Sequence, residues 1–506
     1  MVEIKGFASS TTNEYGEFDV LISLNPPKVD TRQPTDIICV IDVSGSMDDE
    51  ATVLNERGVK EKHGLSILDI TKHSIRTIIN VLGPDDRFGL VSYSSYAITD
   101  FSLAKMDEDG QQAATKACES LRTRGQTNIW AGLQHGLYIA KSSQEPNRIC
   151  NILLLTDGKP NIDPPLGEGT EADMLREYKE EYKSLPCTVS TFGFGYGLDS
   201  KMLKDIAVVG GGSYAFIPDG GMVGTIFVNT ASNLLLTFAR DAELTLRPLQ
   251  SEFSELNNGV VGDYEATKLK HGLGLHINLG TLQYGQSKDV VVRMKKLPAA
   301  SEGELKAYLR AELVCVSRSS VTEMAKGMIK DREDSLDIVA HVHRLTTASM
   351  IQKYTDQLLT YRGNDAIEKV TNSIKTYVWY IKETMKKDFE DSNTASLVED
   401  LEGQVLTAVS RVDYFLKWGK HYLPSLSMAH LHQQCNNFKD PGVQGYGGDL
   451  FLKLRDIAEE KFMRLPPATP SRFNYGVYGG SSYTSSHTSS YNPPVNMSAF
   501  YNAGGG

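Results

Sequence analysis

Short apolar runs alternate with helix-length amphipathic segments from Asp36 to about Arg240, and this alternation constrains the fold most strongly. The run from Ile37 to Ile41 is continuously apolar, which is typical of a strand buried on both faces. A helical pattern follows from about Ser66 and ends at a Gly-Pro pair. The order of strand and helix then repeats along the segment. Strands and helices in this order predict βαβ units, and hence an α/β fold with a doubly wound, mainly parallel sheet.

The flanking segments have other patterns. The run Glu17 to Leu24 is strand-like and needs a sheet partner, because a lone strand is not stable. Short strand-like runs separated by turn residues predict a small antiparallel β-sandwich after about residue 240. Apolar stripes at helical spacing then predict an antiparallel bundle, which includes a third helix from Leu450 to Phe462. The predicted units are an N-terminal strand segment pairing with the β module, an α/β domain, a β-sandwich, a helical bundle and a tail, at 1–35, 36–240, 241–332, 333–464 and 465–506.

The tail is predicted to be disordered when free. From Phe473 to Gly506 it contains no acidic or basic residue and consists mostly of Ser, Tyr, Asn, Gly and Pro. Such a segment cannot bury enough apolar surface to offset its ordering entropy.

Charge and cysteine content exclude several classes of function. The chain has 52 basic and 63 acidic residues, a net charge of −11, which argues against nucleic acid and anionic membranes as partners. No apolar run approaches membrane-spanning length, and the first residues do not resemble a signal peptide. The six cysteines show no C-x-x-C spacing and are typical of buried thiols in a reducing compartment. We therefore expect a soluble, cytoplasmic or other intracellular protein without membrane insertion.

Oxygen-bearing side chains recur where strands of the α/β segment end. Asp42, Ser44 and Ser46 follow the first strand at alternating positions, Thr127 precedes a helix, and Asp157 follows another buried strand. In an open parallel sheet, ligands bind outside the carboxyl ends of the strands. Two carboxylates and three hydroxyls form a hard-oxygen set that suits Mg²⁺, or Mn²⁺ or Ca²⁺, and not zinc. Because the hydroxyls are neutral, a divalent cation held there would keep positive charge, and a partner's carboxylate could complete its coordination.

These motifs resemble the von Willebrand factor type A domain over roughly Asp36 to Arg240. The resemblance implies that Asp-x-Ser-x-Ser with a downstream Thr and a Thr-Asp-Gly forms that family's metal-ion-dependent adhesion site. The resemblance implies that Asp42, Ser44 and Ser46 form the first loop, that Thr127 supplies the direct hydroxyl ligand of the second, and that Asp157 contributes from the third, often through water.

The chain also resembles a narrower group of intracellular fungal and protist proteins in which an associated (Vwaint-type) module follows the type A domain. The segments that carry this resemblance are His63 to Asp69, Thr191 to Tyr196 and Asn436 to Gly448. The U-box and Hint domains found in several of those proteins are not visible in this sequence, which removes the usual arguments for ubiquitin ligation or self-splicing.

Three residues near the predicted metal are candidates for partner binding: Asp48, Asp49 and Trp130. The two acids lie in a charged insertion, Asp48 to His63, whose alternative interpretation is a solvated loop. Trp130 is either an exposed anchor or a core-facing residue of its helix.

We expect a non-enzymatic module that binds an acidic side chain of a protein partner through a divalent cation; the sequence does not specify its oligomeric state. A scaffold protein that assembles through its bundle and tail, with the metal site incidental, remains an alternative. A metal-dependent hydrolase is disfavoured because no base or nucleophile accompanies the oxygen ligands. The Gly193 to Gly197 run predicts packing or a turn, since its spacing does not match a dinucleotide-binding loop.

Overall fold

The computed structural model of the chain describes residues 2–9, 12–54, 60–145, 147–164, 169–249, 251–255, 259–270, 274–296, 307–317, 322–330, 336–388 and 391–470. The N-terminal segment contains β1 (Glu3–Ala8) and β2 (Glu17–Asn25). The elements of the α/β domain are β3 (Thr35–Asp42), β4 (Glu50–Leu54), β5 (Lys60–Ser66), α1 (Ile67–Val81), β6 (Arg87–Tyr93), β7 (Ala97–Lys105), α2 (Glu108–Ser120), α3 (Ile129–Ser142), β8 (Ile149–Thr156), α4 (Glu171–Tyr182), β9 (Thr188–Phe194), α5 (Ser200–Val209), β10 (Gly211–Ile217) and α6 (Val223–Leu235).

The rest of the chain forms β strands and then helices. The strands are β11 (Thr237–Pro248), β12 (Ser251–Phe253), β13 (Val260–Val261), β14 (Ala266–Lys268), β15 (Leu275–Gln283), β16 (Lys288–Lys296), β17 (Ala307–Ser317) and β18 (Thr322–Lys330). The helices are α7 (Leu336–Thr360), α8 (Asn364–Asp388), α9 (Ser392–Asp400), α10 (Leu406–Ala408), α11 (Val412–Tyr414), α12 (Lys420–His432), α13 (Pro441–Gln444) and α14 (Asp449–Met463). Two π-helical turns, Leu401–Val405 and Phe415–Gly419, connect α9 to α10 and α11 to α12.

The α/β domain is built on a six-stranded sheet, which confirms the predicted fold class. Its strand order is β10-β9-β8-β3-β6-β7, and the five strands other than β7 run parallel. Every residue of β3, β6, β8 and β9 is buried, as their continuous apolar runs predict. Helices cover both faces, with separate hydrophobic clusters on each side of the sheet. The antiparallel edge strand β7 was not predicted, because its residues are all exposed or half-buried and form no continuous apolar run.

The β module consists of two five-stranded antiparallel sheets that share one hydrophobic cluster. The first sheet contains β1, β2, β16, β12 and β13, so the N-terminal strands lie in this module, where β2 pairs with β16. The second contains β14, β15, β11, β17 and β18.

The C-terminal helices divide between two packing partners. A hydrophobic cluster joins α7, α8, α9 and α12 into a bundle. The helix α14 was expected in this bundle, but Ala458 and Phe462 instead pack with α1 and α6 of the α/β domain, and Phe451 packs against the β module. Its apolar residues therefore join neighbours that are distant in sequence, which periodicity alone does not specify.

The predicted start of the disordered tail at residue 465 is too early. Leu465 and Ala468 pack against the core of the α/β domain, and Arg76 Nη2 donates to the Pro466 carbonyl at 3.0 Å. The remainder of the predicted tail, residues 471–506, lies outside the described residues.

Two further findings concern cysteine and the membrane. All six cysteines are buried and free. Among the described residues, no helix combines the length and apolar content that crossing a bilayer requires.

Candidate functional site

The candidate site lies where β3 and β8 end side by side. The two strands pair in parallel register up to Ile41 and Leu155, so the residues that follow them emerge at the same edge of the sheet. Asp42 is the last residue of β3, and Asp157 follows β8 directly. After Asp42 the chain enters a single 3₁₀ turn, Gly45–Asp48. This topology brings the two sequence-predicted carboxylates to one place.

The Asp42 carboxylate is held by two hydrogen bonds. Its Oδ1 accepts from the Ser44 backbone N–H at 2.8 Å, and its Oδ2 accepts from the Thr156 hydroxyl at 2.6 Å. The residue is completely buried. Because both oxygens are fixed, the carboxylate has one orientation before any ligand arrives.

The two serine hydroxyls connect the loop to the second carboxylate. Ser44 Oγ and Ser46 Oγ lie 3.2 Å apart, within hydrogen-bonding distance, and Ser46 Oγ donates to Asp157 Oδ1 at 3.0 Å. Ser44 is buried, whereas Ser46 is exposed. The loop therefore presents oxygen atoms from inside the domain to its surface.

Thr127 reaches the same cleft from a neighbouring loop. Gly125, two residues earlier, has φ of +64°, and its carbonyl accepts from the Gly45 N–H at 3.3 Å. A Cβ at residue 125 would lie 2.9 Å from Ser95 Oγ, so both the backbone angle and the space require glycine. The Thr127 backbone N–H donates to Asn161 Oδ1 at 2.7 Å, and Thr127, Ser46 and Asp157 line one cleft.

The pKa values of both carboxyl groups of the site are raised. Burial raises the pKa of Asp42, and burial together with the nearby Asp42 charge raises the pKa of Asp157 to about 6. Two acids buried side by side are unfavourable unless a proton or a cation reduces their repulsion.

The donor set fits a hard divalent cation. It combines carboxylate and hydroxyl oxygens, and among the described residues no cluster of three or more His, Cys, Asp or Glu side chains forms an alternative metal site. Asp42, Ser44, Ser46, Thr127 and Asp157 could therefore hold Mg²⁺ or a similar ion, and this assignment stays a prediction.

The surrounding cleft has a volume of about 540 Å³. Asp49 lines it, and both Asp48 and Asp49 are exposed. Part of the predicted insertion forms the hairpin β4–β5, while residues 55–59 lie outside the described residues.

Trp130 is not the exposed anchor that was considered. It is 5% exposed and packs in the cluster between α3 and the sheet, because its helix face turns inward. Its place in the core removes it from the candidate partner-binding residues.

The Gly193 to Gly197 run contributes packing and a wall of the cleft. A Cβ at Gly193 would lie 2.8 Å from Leu198 Cδ1 and 3.1 Å from Leu203 Cδ1 of α5, so glycine is needed for this close contact. Gly195 and Gly197 line the cleft that contains Asp157.

Two polar residues of the site were missed from the sequence. Thr156 fixes Asp42, and Asn161 fixes the loop that carries Thr127. Thr156 lies next to Asp157 at the strand end, so its position in the motif could have indicated its role. Asn161 lies in an irregular loop, which gives no sequence pattern.

Comparisons with known proteins agree with this architecture. The model of the von Willebrand factor type A domain matches residues 36–227, and the model described as VWA / Hh protein intein-like (Vwaint) matches residues 391–460.

Similar proteins cover different parts of the chain. An uncharacterized protein of Synechocystis sp. is 30% identical over 37% of this chain and 39% of its own length. Inter-alpha-trypsin inhibitor heavy chain H4 of Bos taurus is 26% identical over 65% of this chain and 32% of its own length. This chain thus spans less than half of either relative.

A solved structure shares the fold beyond the α/β domain. A von Willebrand factor type A protein from Catenulispora acidiphila superposes with a TM-score of 0.58 at 19% identity. The superposition covers 84% of this chain and 96% of that one. At this identity the likeness concerns the fold alone.

Proposed function

We propose that this chain, which carries a von Willebrand factor type A domain at residues 36–227 and a Vwaint segment at residues 391–460, binds an acidic side chain of a protein partner through a divalent cation. Type A domains typically mediate protein–protein interactions. That a divalent cation connects this chain to the carboxylate of its partner is our inference from the site.

One observation carries the proposal. Asp42 and Asp157 are both buried where two neighbouring strands end, and Asp157 lines the cleft. Asp42 Oδ1 accepts the Ser44 N–H, and the Ser44 and Ser46 hydroxyls continue this series of contacts to Asp157 Oδ1. Two neighbouring buried carboxylates, one of which lines a cleft, are costly without a positive partner. A cation in that position would offset the repulsion and leave its remaining charge directed outward.

The residues of this chain would divide the work. Asp42 and Asp157 would supply the negative charge, and Ser44, Ser46 and Thr127 would supply neutral oxygens. When bound, the cation supplies a Lewis-acidic position for one incoming carboxylate. Thr156 keeps Asp42 in a single orientation, which lowers the ordering cost of binding. None of these roles makes or breaks a covalent bond.

Binding of Mn²⁺ tests the proposal directly, because enhanced water-proton relaxation reports a protein-bound ion that retains exchangeable water. We expect saturable enhancement with the native chain and its loss with Asp42→Asn or Asp157→Asn. Asp107→Asn is the matched control, since Asp107 also accepts a backbone N–H, at 2.9 Å, but caps α2 away from the cleft.

The partner's chemistry is tested in the same samples. A short peptide with a central Glu should reduce the relaxation enhancement by displacing bound water, and the same peptide with Gln should not. Mn²⁺ binding that persists in both carboxylate variants would refute the assigned site. Equal effects of the Glu and Gln peptides would refute carboxylate recognition.

A further inference from the structure

A second cavity lies between the α/β domain and the C-terminal helices. Its volume is about 270 Å³, slightly below the usual range of about 300–1,000 Å³ for small-molecule sites. One wall comes from the end of β10 and the start of α6, and the other from residues 404–440. Ligand sites occur preferentially at such domain interfaces.

Aromatic side chains form much of its wall. Trp418 and Tyr422 contact each other with ring centroids 5.5 Å apart and planes tilted by 57°. Tyr196 lines the opposite side and packs edge-on against Phe216 at 5.9 Å. Rings of this kind attract a cation that approaches their faces.

Acidic groups outnumber basic groups around the cavity. Asp219 and Asp440 line it, and Lys439 is the basic residue among the described lining residues. Asp440 accepts from the Tyr422 hydroxyl at 2.7 Å and from Asn437 Nδ2 at 2.9 Å, so its carboxylate is fixed. Burial raises the pKa of Asp219, and raises that of Asp440 to about 6. Lys439 offsets part of the Asp219 charge, so the two acids and one lysine leave the wall with a net negative charge that is costly to bury.

The local helix geometry is an independent observation. Gln404 and Trp418, which both line the cavity, belong to the two separate π-helical turns. Such turns are rare and occur frequently at functional sites. Both π turns of the described chain thus contribute a residue to one cavity.

We infer that this cavity binds a small organic ammonium compound, with its apolar body against Trp418 and Tyr422 and its amine near Asp219. The aromatic walls favour a cation with an apolar body over a hydrated metal ion. The two acids disfavour an anion, and the volume limits the ligand to about the size of one amino acid. This site differs from the cleft at Asp157, although three residues, Tyr196, Pro218 and Asp219, line both.

Three probes that share a phenylethyl group test the inference: 2-phenylethylamine as the cation, 2-phenylethanol as the neutral analogue and 3-phenylpropanoate as the anion. Titration calorimetry is performed with the full chain in EDTA, so the result does not depend on the proposed metal site. We expect the amine to bind with a dissociation constant of about 1 mM or tighter, as its size allows. The alcohol should bind about tenfold more weakly, and the acid should bind more weakly still.

Two variants assign the binding to this cavity. Asp219→Asn keeps an acceptor for the Gly221 N–H, which lies 2.9 Å from Asp219 Oδ1, and should weaken amine binding about tenfold. Trp418→Phe preserves a ring and should weaken it several-fold. Asp199→Asn is the control, because Asp199 also caps a helix but does not line the cavity.

Three results would overturn the inference. The first is no amine binding at 10 mM, about tenfold above the expected constant. The second is equal affinity for the amine and the alcohol. The third is an equal effect of Asp199→Asn and Asp219→Asn.

Discussion

Gly224 in α6 lies against Phe462 of α14, and this contact provides a direct test of how the last helix is placed. A Cβ at residue 224 would lie inside van der Waals contact of Phe462 Cε1 and Cζ and 3.2 Å from its Cδ1. Phe462 is 6% exposed and packs edge-on against His73, with centroids 5.3 Å apart. We therefore expect Gly224→Ala to destabilise the α/β domain, although alanine normally favours a helix.

The expected magnitude follows from two opposing terms. Alanine gains up to about 1 kcal/mol of helix propensity over glycine. Overpacking costs about 1–3 kcal/mol, so with the full propensity gain the net loss should lie between about 0 and 2 kcal/mol. Phe462→Ala alone should cost about 3–5 kcal/mol through lost burial and an unfilled cavity. In that background Gly224→Ala should become neutral or stabilising, because the ring is absent, which gives a coupling energy of about 1–3 kcal/mol.

Urea unfolding of four proteins measures this coupling: one with both native residues, the two single variants and the double variant. Each carries Trp379→Phe and Trp418→Phe, so that Trp130, the remaining one of three tryptophans, reports the α/β domain by fluorescence. Unchanged m-values would show that the midpoints report stability. The docking of α14 would be refuted if Gly224→Ala destabilised both backgrounds equally, or if it stabilised the protein that retains Phe462.

Three other contacts give predictions for unfolding measurements. Ser66→Ala should cost about 1 kcal/mol, because it removes the N-cap of α1. Ser66 Oγ accepts the Asp69 N–H at 3.1 Å, and the Asp69 side chain accepts the Ser66 N–H at 2.9 Å. Ser120→Ala, at an exposed site, is the control. Arg87→Leu should cost about 3 kcal/mol, since it removes two hydrogen bonds, of 2.9 and 2.6 Å, to buried Asp36. Among the described residues, Arg148 would then be the arginine that still pairs with Asp36. An unchanged urea midpoint would contradict this. Burial lowers the pKa of Lys288 in the folded protein from 10.5 to about 7. Between these pH values the unfolded chain binds more protons than the folded one, so the free energy of unfolding should rise with pH. The slope is at most about 1.4 kcal/mol per pH unit. Lys288→Met should abolish this rise, and an unchanged slope would exclude Lys288 as its source.

The fold class was predictable because burial leaves a continuous apolar pattern. The strands β3 and β8 are buried along their whole length, and their runs of Ile, Leu and Val predict a sheet that is covered on both faces. The edge strand β7 escaped detection because an edge faces solvent and needs no such pattern. The position of α14 was not predictable either, since its apolar residues specify that it packs but not against which partner.

The candidate metal site was predictable to the extent that strand ends meet at one edge of a sheet. The placement of Asp42 and Asp157 follows from two parallel neighbours in register, which the strand pattern implies. Asn161 and the burial of Trp130 depend on how a loop and a helix settle on the sheet. Short polar loops and amphipathic helices do not specify those contacts locally.

The cavity between the α/β domain and the C-terminal helices could not be predicted from the sequence. Tyr196 and Trp418 come from segments of different predicted units, and neither segment has a spacing that refers to the other. The net charge of −11 also predicts little about ligands, because it does not say where in the fold the charges lie. Long-range charges on the surface are screened within about 10 Å in 0.1 M salt, whereas buried carboxylates interact mainly with their immediate neighbours. In the proposals above, Asp42 and Asp157 draw a cation that would then attract acidic groups, while Asp219 and Asp440 attract an amine directly. One acidic chain can therefore present sites that select partners of opposite charge.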